Sequence, residues 1–114
     1  MLPKQYRLAG HRIPTLIRSG KRISSHLVSL IYQPTADNLQ PTAITVIVPV
    51  RLSKKAVERN RTRRLLREAI YQHLTNLEHG HEVIVMAKKI LKEEKLTDIL
   101  PDITELIKNA GLLK

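Results

Sequence analysis

Hydrophobic and polar positions divide the chain into a short series of elements. In "RIPTLIRSG" (12–20), Ile13, Leu16 and Ile17 recur at helical spacing and Gly20 supplies a stop, which predicts a short first helix. "KRISSHLVSLIYQ" (21–33) alternates, with His26, Val28, Leu30 and Tyr32 on one side and Leu27, Ser29 and Ile31 on the other, and reads as a strand. "PTADNLQP" (34–41) is rich in turn residues and reads as a loop bounded by Pro34 and Pro41. "TAITVIVPV" (42–50) is β-branched and nearly continuous in apolar residues, the pattern of a central strand, and Pro49 ends it. Ser53 offers an N-cap for a long helix running to about Leu77. "HGHEVIVMAK" (79–88) gives a turn and another buried strand. "LTDILPDITELIKNAGLL" (96–113) gives a final helix closed by Gly111, with Pro101 either kinking it or marking its start. The order helix, strands, long helix, strand, helix predicts an α/β (α+β) sandwich on a small sheet.

The long helix has two unlike faces. At ~100° per residue, Leu66, Ala69, Ile70, His73 and Leu77 form one apolar stripe that packs on the sheet, while Asn60, Arg61, Arg64 and Arg67 fall in an arc of ~120° roughly opposite. Arg59 and Arg63 lie toward the packing side at the first turns, where they could border a cleft. A solvated face would ordinarily account for such a helix, but it predicts acids four residues from the bases. Here Arg59 to Arg63 and Arg63 to Arg67 are like-charged at that spacing, each pair costing a few tenths of a kcal/mol, so something outside the fold must offset the repulsion. Arginine also grips phosphate bidentately and stacks on bases, which favours phosphate binding over the solvated face.

Composition sharpens this. The 114 residues, 42% of them hydrophobic, suffice for one domain, 1–114. Residues 1–67 carry fourteen Lys or Arg against Asp37 and Glu58, whereas residues 68–114 carry six Lys against eight acids, within a total of +10. The basic half therefore faces a polyanion. No cysteine is available for disulfides or thiolate metal sites, and the five histidines lack zinc spacing. No signal core or membrane-length apolar run appears, and an interfacial helix would want large anchors in a chain that has neither Phe nor Trp. The expectation is a soluble, cytoplasmic protein without a membrane partner.

Three function classes remain. An RNA-binding subunit fits the ridge, and so does a general structured-RNA-binding or ribosome-associated protein. A protein nuclease would need converging acids or a histidine set against a base. The basic half offers only Asp37 and Glu58, and His11, His26, His73, His79 and His81 have no evident partner. No helix-turn-helix or dimer signal supports a reader of duplex DNA.

The motif "RNR" at Arg59 to Arg61, within "KKAVERNRTRRLLREA", resembles the signature of the bacterial ribonuclease P protein subunit. "LPKQYRL" at the start, "GKR" at Gly20 to Arg22, "GHEVIVMAK" and "LIKNAGLL" resemble that family in the right order over nearly the whole chain. The resemblance implies the small subunit of a ribozyme whose RNA, using magnesium, removes the 5′ leader of precursor tRNA. The subunit itself supplies no catalytic residue and no cofactor site that the sequence identifies, and no protein oligomer is expected. It also implies a left-handed crossover of the long helix between parallel strands. Arg59, Asn60, Arg61, Arg63, Arg64 and Arg67 would then meet the RNA subunit, with Lys54 and Lys55 adding phosphate contacts where the helix dipole favours anions.

This chain departs from the family in two places. The family's leader cleft carries phenylalanines on the first helix and an aromatic on the first strand. Ile13 and Ile17 stand at those helix positions and Leu30 at the strand position, with Tyr32 next on that face and Arg12, Arg18 and Arg22 nearby. Core packing suits Ile13 and Ile17 equally well. "PVRLSKK" departs from the usual serine and two lysines ahead of the helix, with Arg51 keeping a charge there.

Overall fold

The computed structural model describes residues 2–36 and 40–114; residues 37–39 of the predicted loop lie outside them. Four strands, β1 (Lys21–Ser24), β2 (Val28–Pro34), β3 (Ala43–Ile47) and β4 (His81–Ala87), form one mixed sheet in the order β1-β2-β4-β3. β1 and β4 each run antiparallel to β2, and β3 runs parallel to β4. Helices α2 (Ala56–Tyr71) and α3 (Leu96–Asn109) cover one face, burying Leu65, Leu66, Ile70, Ile99, Ile103 and Ile107 against Leu30, Ile44, Val83 and Val85. Helix α1 (Ile13–Ser19) covers part of the other face, where Leu16 packs with Leu8, Ile31 and Ile84. The predicted sandwich is therefore observed, with helices on both sides of the sheet.

The hand of the crossover follows from one residue. Ile44 sends its side chain into the core shared with α2, and its carbonyl accepts from Leu8 N (3.1 Å) on the side away from β4. For an L-residue these two directions place β4 to the left of β3 when the strands point up and the helix faces the viewer. The β3–α2–β4 passage is thus left-handed, as the resemblance implies and against the usual preference.

The local boundaries differ from the sequence reading in instructive ways. Residues 21–33 are a hairpin and not one strand, because Ser25 folds back at the turn: its amide donates to Val28 O (2.9 Å) and its Oγ accepts from Leu27 N (3.1 Å). Gly20 permits the preceding turn, since a Cβ there would lie 2.7 Å from Leu16 O and 3.0 Å from Ile31 Cγ2. α2 starts at Ala56 and not behind a Ser53 cap. The Ser53 hydroxyl instead accepts from Lys55 N (3.1 Å) and donates to Glu58 Oε1 (2.6 Å), forming a turn ahead of the helix. α2 ends at Tyr71 and not at Leu77. Leu77 is drawn into an antiparallel bridge with Leu113, and Glu78 N donates to Leu112 O (2.7 Å), so the C-terminal segment pulls the chain out of helix. α3 begins before Pro101, at Leu96, where the Asp98 carboxylate accepts from Lys95 N (2.8 Å). It closes as predicted at Gly111 (φ +75°), with Gly111 N bonding Lys108 O and Leu112 N bonding Ile107 O.

Candidate nucleic-acid interface

The buried stripe of α2 is Thr62, Leu65, Leu66, Ala69 and Ile70, which leaves Asn60 and Arg64 exposed on the opposite arc as the periodicity predicts. His73 lies just past the helix end, with its Nε2 2.8 Å from Thr104 Oγ1; half-burial pushes its imidazole pKa down. None of the five arginines of α2 forms an ion pair among the described residues. The helix's first acid, Glu58, is already engaged. The Ser53 hydroxyl, with help from Lys92 (3.4 Å) and Lys55, holds its carboxyl below the usual range.

The arginines nonetheless fall into two groups. Arg61 turns toward the connection between β4 and α3, where its guanidinium donates to Leu91 O and, at 3.2 Å, to Glu94 O. Buried Thr62 completes that clamp: its hydroxyl donates to Glu58 O (3.0 Å) and accepts from Leu91 N (3.0 Å). Arg59 donates to Ser53 O (2.7 Å) at the helix entry. Arg61 and Arg59 are therefore tied to backbone carbonyls, and Arg61 does not stand free on the ridge where the helical wheel put it. Arg64 and Arg67 make no hydrogen bond or ion pair among the described residues, and Arg63 is oriented by Asn60, whose Oδ1 accepts from it at 2.7 Å. Exposed Arg51, Lys54 and Lys55 extend this cationic surface at the entry of α2. Arg67 also borders a hollow between α2, β3 and the N-terminal segment, lined as well by Leu2, Arg7, Leu8 and Ile44.

On the opposite face of the sheet, α1 is anchored at its start by Arg12. Its Nε and Nη2 grip both oxygens of Glu82 at 2.9 and 2.8 Å. Glu82 is buried and also accepts from Gln33 Nε2 (3.3 Å), so its carboxyl is held below the usual range, chiefly by Arg12, against the opposing cost of burial. Ser19 at the other end of α1 donates to Gln33 Oε1 (3.1 Å). Arg12 is thus a tether for α1 and not a free cation. Arg22 is exposed on β1 opposite Ile31, hence on the α1 face, and Arg18 is exposed on α1 itself.

The structure does not bring Ile13 and Ile17 together with Leu30 and Tyr32. Leu30 is 1% exposed in the core beneath α2 and α3, and Tyr32 packs on that same core, whereas Ile13 packs with Ile31 and Ile84 under α1. Alternation correctly set Val28, Leu30 and Tyr32 on one face and Ile31 on the other, but it put Leu27 with Ile31, whereas Leu27 lies at the hairpin turn and packs with Leu30, and it could not say which face α1 would cover. The surface beside α1 is lined instead by half-buried Ile13, Ala43, Ile47 and Met86, with Ile17 40% exposed at its rim. Ala43, Ile47 and Met86 were missed because the continuous apolar runs of β3 and β4 read as wholly buried.

Among the described residues no three His, Asp or Glu gather as a metal site, and no helix is long and apolar enough to cross a membrane. Fold and charge together define a small, basic α+β sandwich built around a left-handed crossover helix whose outer face is cationic. The family model for ribonuclease P matches residues 2–111, and the chain belongs to that family. It is 30% identical to a ribonuclease P protein component of Synechococcus sp. (strain JA-2-3B'a(2-13)), covering 99% of this chain and 87% of the relative. It is 32% identical to that of strain JA-3-3Ab, covering 99% and 92%. Its fold matches a Staphylococcus aureus RNase P protein mutant with TM-score 0.83 (19% identity; 96% of this chain, 92% of the other). The match to the RNase P protein from Thermotoga maritima has TM-score 0.78 (18%; 90% and 96%).

Proposed function

We propose that this protein binds ribonuclease P RNA through the cationic outer face of α2 and so serves 5′ maturation of precursor tRNA. The RNA carries the catalysis and uses the magnesium. Asn60, Arg63, Arg64 and Arg67, with Arg51, Lys54 and Lys55 at the helix entry, meet phosphates and base edges, while Arg59 and Arg61 hold the helix entry and the β4–α3 connection in place. The apolar surface beside α1, with Ile13, Ile17, Ala43, Ile47 and Met86 and the nearby cations Arg18 and Arg22, takes the 5′ leader. Isoleucine and methionine cannot stack a base as a ring does, so this contact is weaker and less sequence-selective than an aromatic one. The protein acts as a monomer beside its RNA.

The observation that carries this reading is that five arginines on sixteen helical residues have no carboxylate partner among the described residues, an arrangement whose self-repulsion an RNA backbone offsets. Family membership supports a tRNA-processing subunit over a general structured-RNA binder. The test is cleavage of a 5′-extended tRNA by a bacterial ribonuclease P RNA at low magnesium, with and without the protein. Stimulation is expected; no change in rate with demonstrably folded protein overturns the reading.

A further inference from the structure

Tyr71 ends α2 with 59% of its surface exposed, although the chain has only three tyrosines and no other bulky aromatic residue. It belongs to the outward arc of the helix: Asn60, Arg64, Arg67 and Tyr71 succeed one another at spacings of four, three and four residues. Tyr71, Arg64, Arg67 and Glu68 surround one hollow on the helix surface, floored by Leu2, which is itself 6% exposed. The bland account is a surface tyrosine shielding Leu2. That accounts for the ring but not for two arginines beside it that make no hydrogen bond or ion pair among the described residues.

Each group in the hollow suits a different part of a nucleotide. The ring offers a stacking face and keeps its hydroxyl in water, while the guanidiniums offer planar forks for phosphate. The Glu68 carboxylate repels phosphate and accepts from a base N–H, so it leaves the phosphate to Arg64 and Arg67 and the base to Tyr71. We infer that Tyr71, with Arg64, Arg67 and Glu68, forms a stacking site for one unpaired base of the RNA that α2 binds. This extends the basic ridge with a contact made through an aromatic ring. The inference rests on the proposed RNA-binding role of α2.

The experiment uses the full chain, ribonuclease P RNA as the probe, and binding measured across a salt series. Tyr71→Ala is expected to weaken binding about tenfold with the salt slope and melting temperature unchanged, and Tyr71→Phe to bind as wild type. Tyr71→Trp, which creates the only tryptophan, is expected to show fluorescence quenching on adding RNA. Wild-type affinity in Tyr71→Ala, an equal loss in Tyr71→Phe, or an unresponsive tryptophan would each overturn the stacking site. Arg64→Ala separates the two levels of the argument. If Arg64→Ala lowers the salt slope while Tyr71→Ala is neutral, only the stacking site fails. If the wild-type protein shows no salt-dependent RNA binding, the RNA reading fails and the site with it.

Discussion

Replacing Arg61 by alanine should cost stability, and replacing Arg64 should not, although both sit on the same charged helix. Arg61 is half-buried and spends its guanidinium on Leu91 O and Glu94 O, across a connection whose Leu91 is 1% exposed. A hydrogen bond to a charged group contributes about 1.5–3 kcal/mol. The lower end suits the Leu91 bond, and the longer Glu94 bond adds less because water replaces it readily, so Arg61→Ala should lose about 2 kcal/mol. For a chain of this size that is a drop in melting temperature of roughly 8 °C. Arg64→Ala, exposed and without a partner among the described residues, should stay within about 0.5 kcal/mol of wild type. Arg61→Lys should recover little, since an ammonium cannot span two carbonyls as a planar fork does. Thermal melts of the three variants, with amide hydrogen exchange over residues 88–95, give the measurement. The clamp is refuted if Arg61→Ala melts with Arg64→Ala, or if the amides of residues 91–95 exchange no faster without it.

Three further outcomes follow from the same geometry. Arg64→Ala should lower the salt slope of RNA binding by about one unit if it touches one phosphate, whereas Arg61→Ala should leave the slope unchanged; equal slopes for both would merge the two groups of arginines. Glu82 is held ionised in the folded state, so the stability it contributes is present above the ordinary carboxylate pKa and is lost as pH falls through its lowered folded value. Acid melts of Glu82→Gln should therefore lack part of the wild-type decline, and superimposable acid limbs would contradict this. Ile17→Ala should weaken binding of leader-bearing precursor tRNA a few-fold relative to mature tRNA in the assembled holoenzyme, while Tyr32→Ala should leave that ratio alone; the reverse pattern would return the leader to the face beneath α2 and α3.

Period and charge made most of the architecture legible. The apolar stripe through Leu66, Ala69 and Ile70 and the exposed arc through Asn60 and Arg64 are where a 3.6-residue repeat puts them, and Gly111 closes α3 as its left-handed conformation demands. What stayed hidden depended on partners far along the chain. The break at Ser25 looks like ordinary alternation until the serine's oxygen captures the amides of Leu27 and Val28. The end of α2 is set by Leu113, and the fate of Arg61 by carbonyls some thirty residues later, neither visible in a helical wheel. The face of β2 that α1 would cover was a choice between two apolar sets, and only the packing of Leu16 on Ile31 decides it. Side-chain charge showed that the helix meets a polyanion, but not which guanidiniums the fold keeps for itself.

The position of β4 bears on how the chain is made. It lies at the inside of the sheet yet is the last strand in sequence, so both β2 and β3 wait for it. During synthesis the β1–β2 hairpin can close early, but α2 emerges with its apolar stripe facing a sheet that still lacks its middle. Because β2–β4 and β3–β4 are both long-range pairings, completing the sheet should be one late, cooperative step. Until then the basic helix is an unpacked amphipathic segment, and a chain truncated before His81 should show helical signal without protected β3 amides.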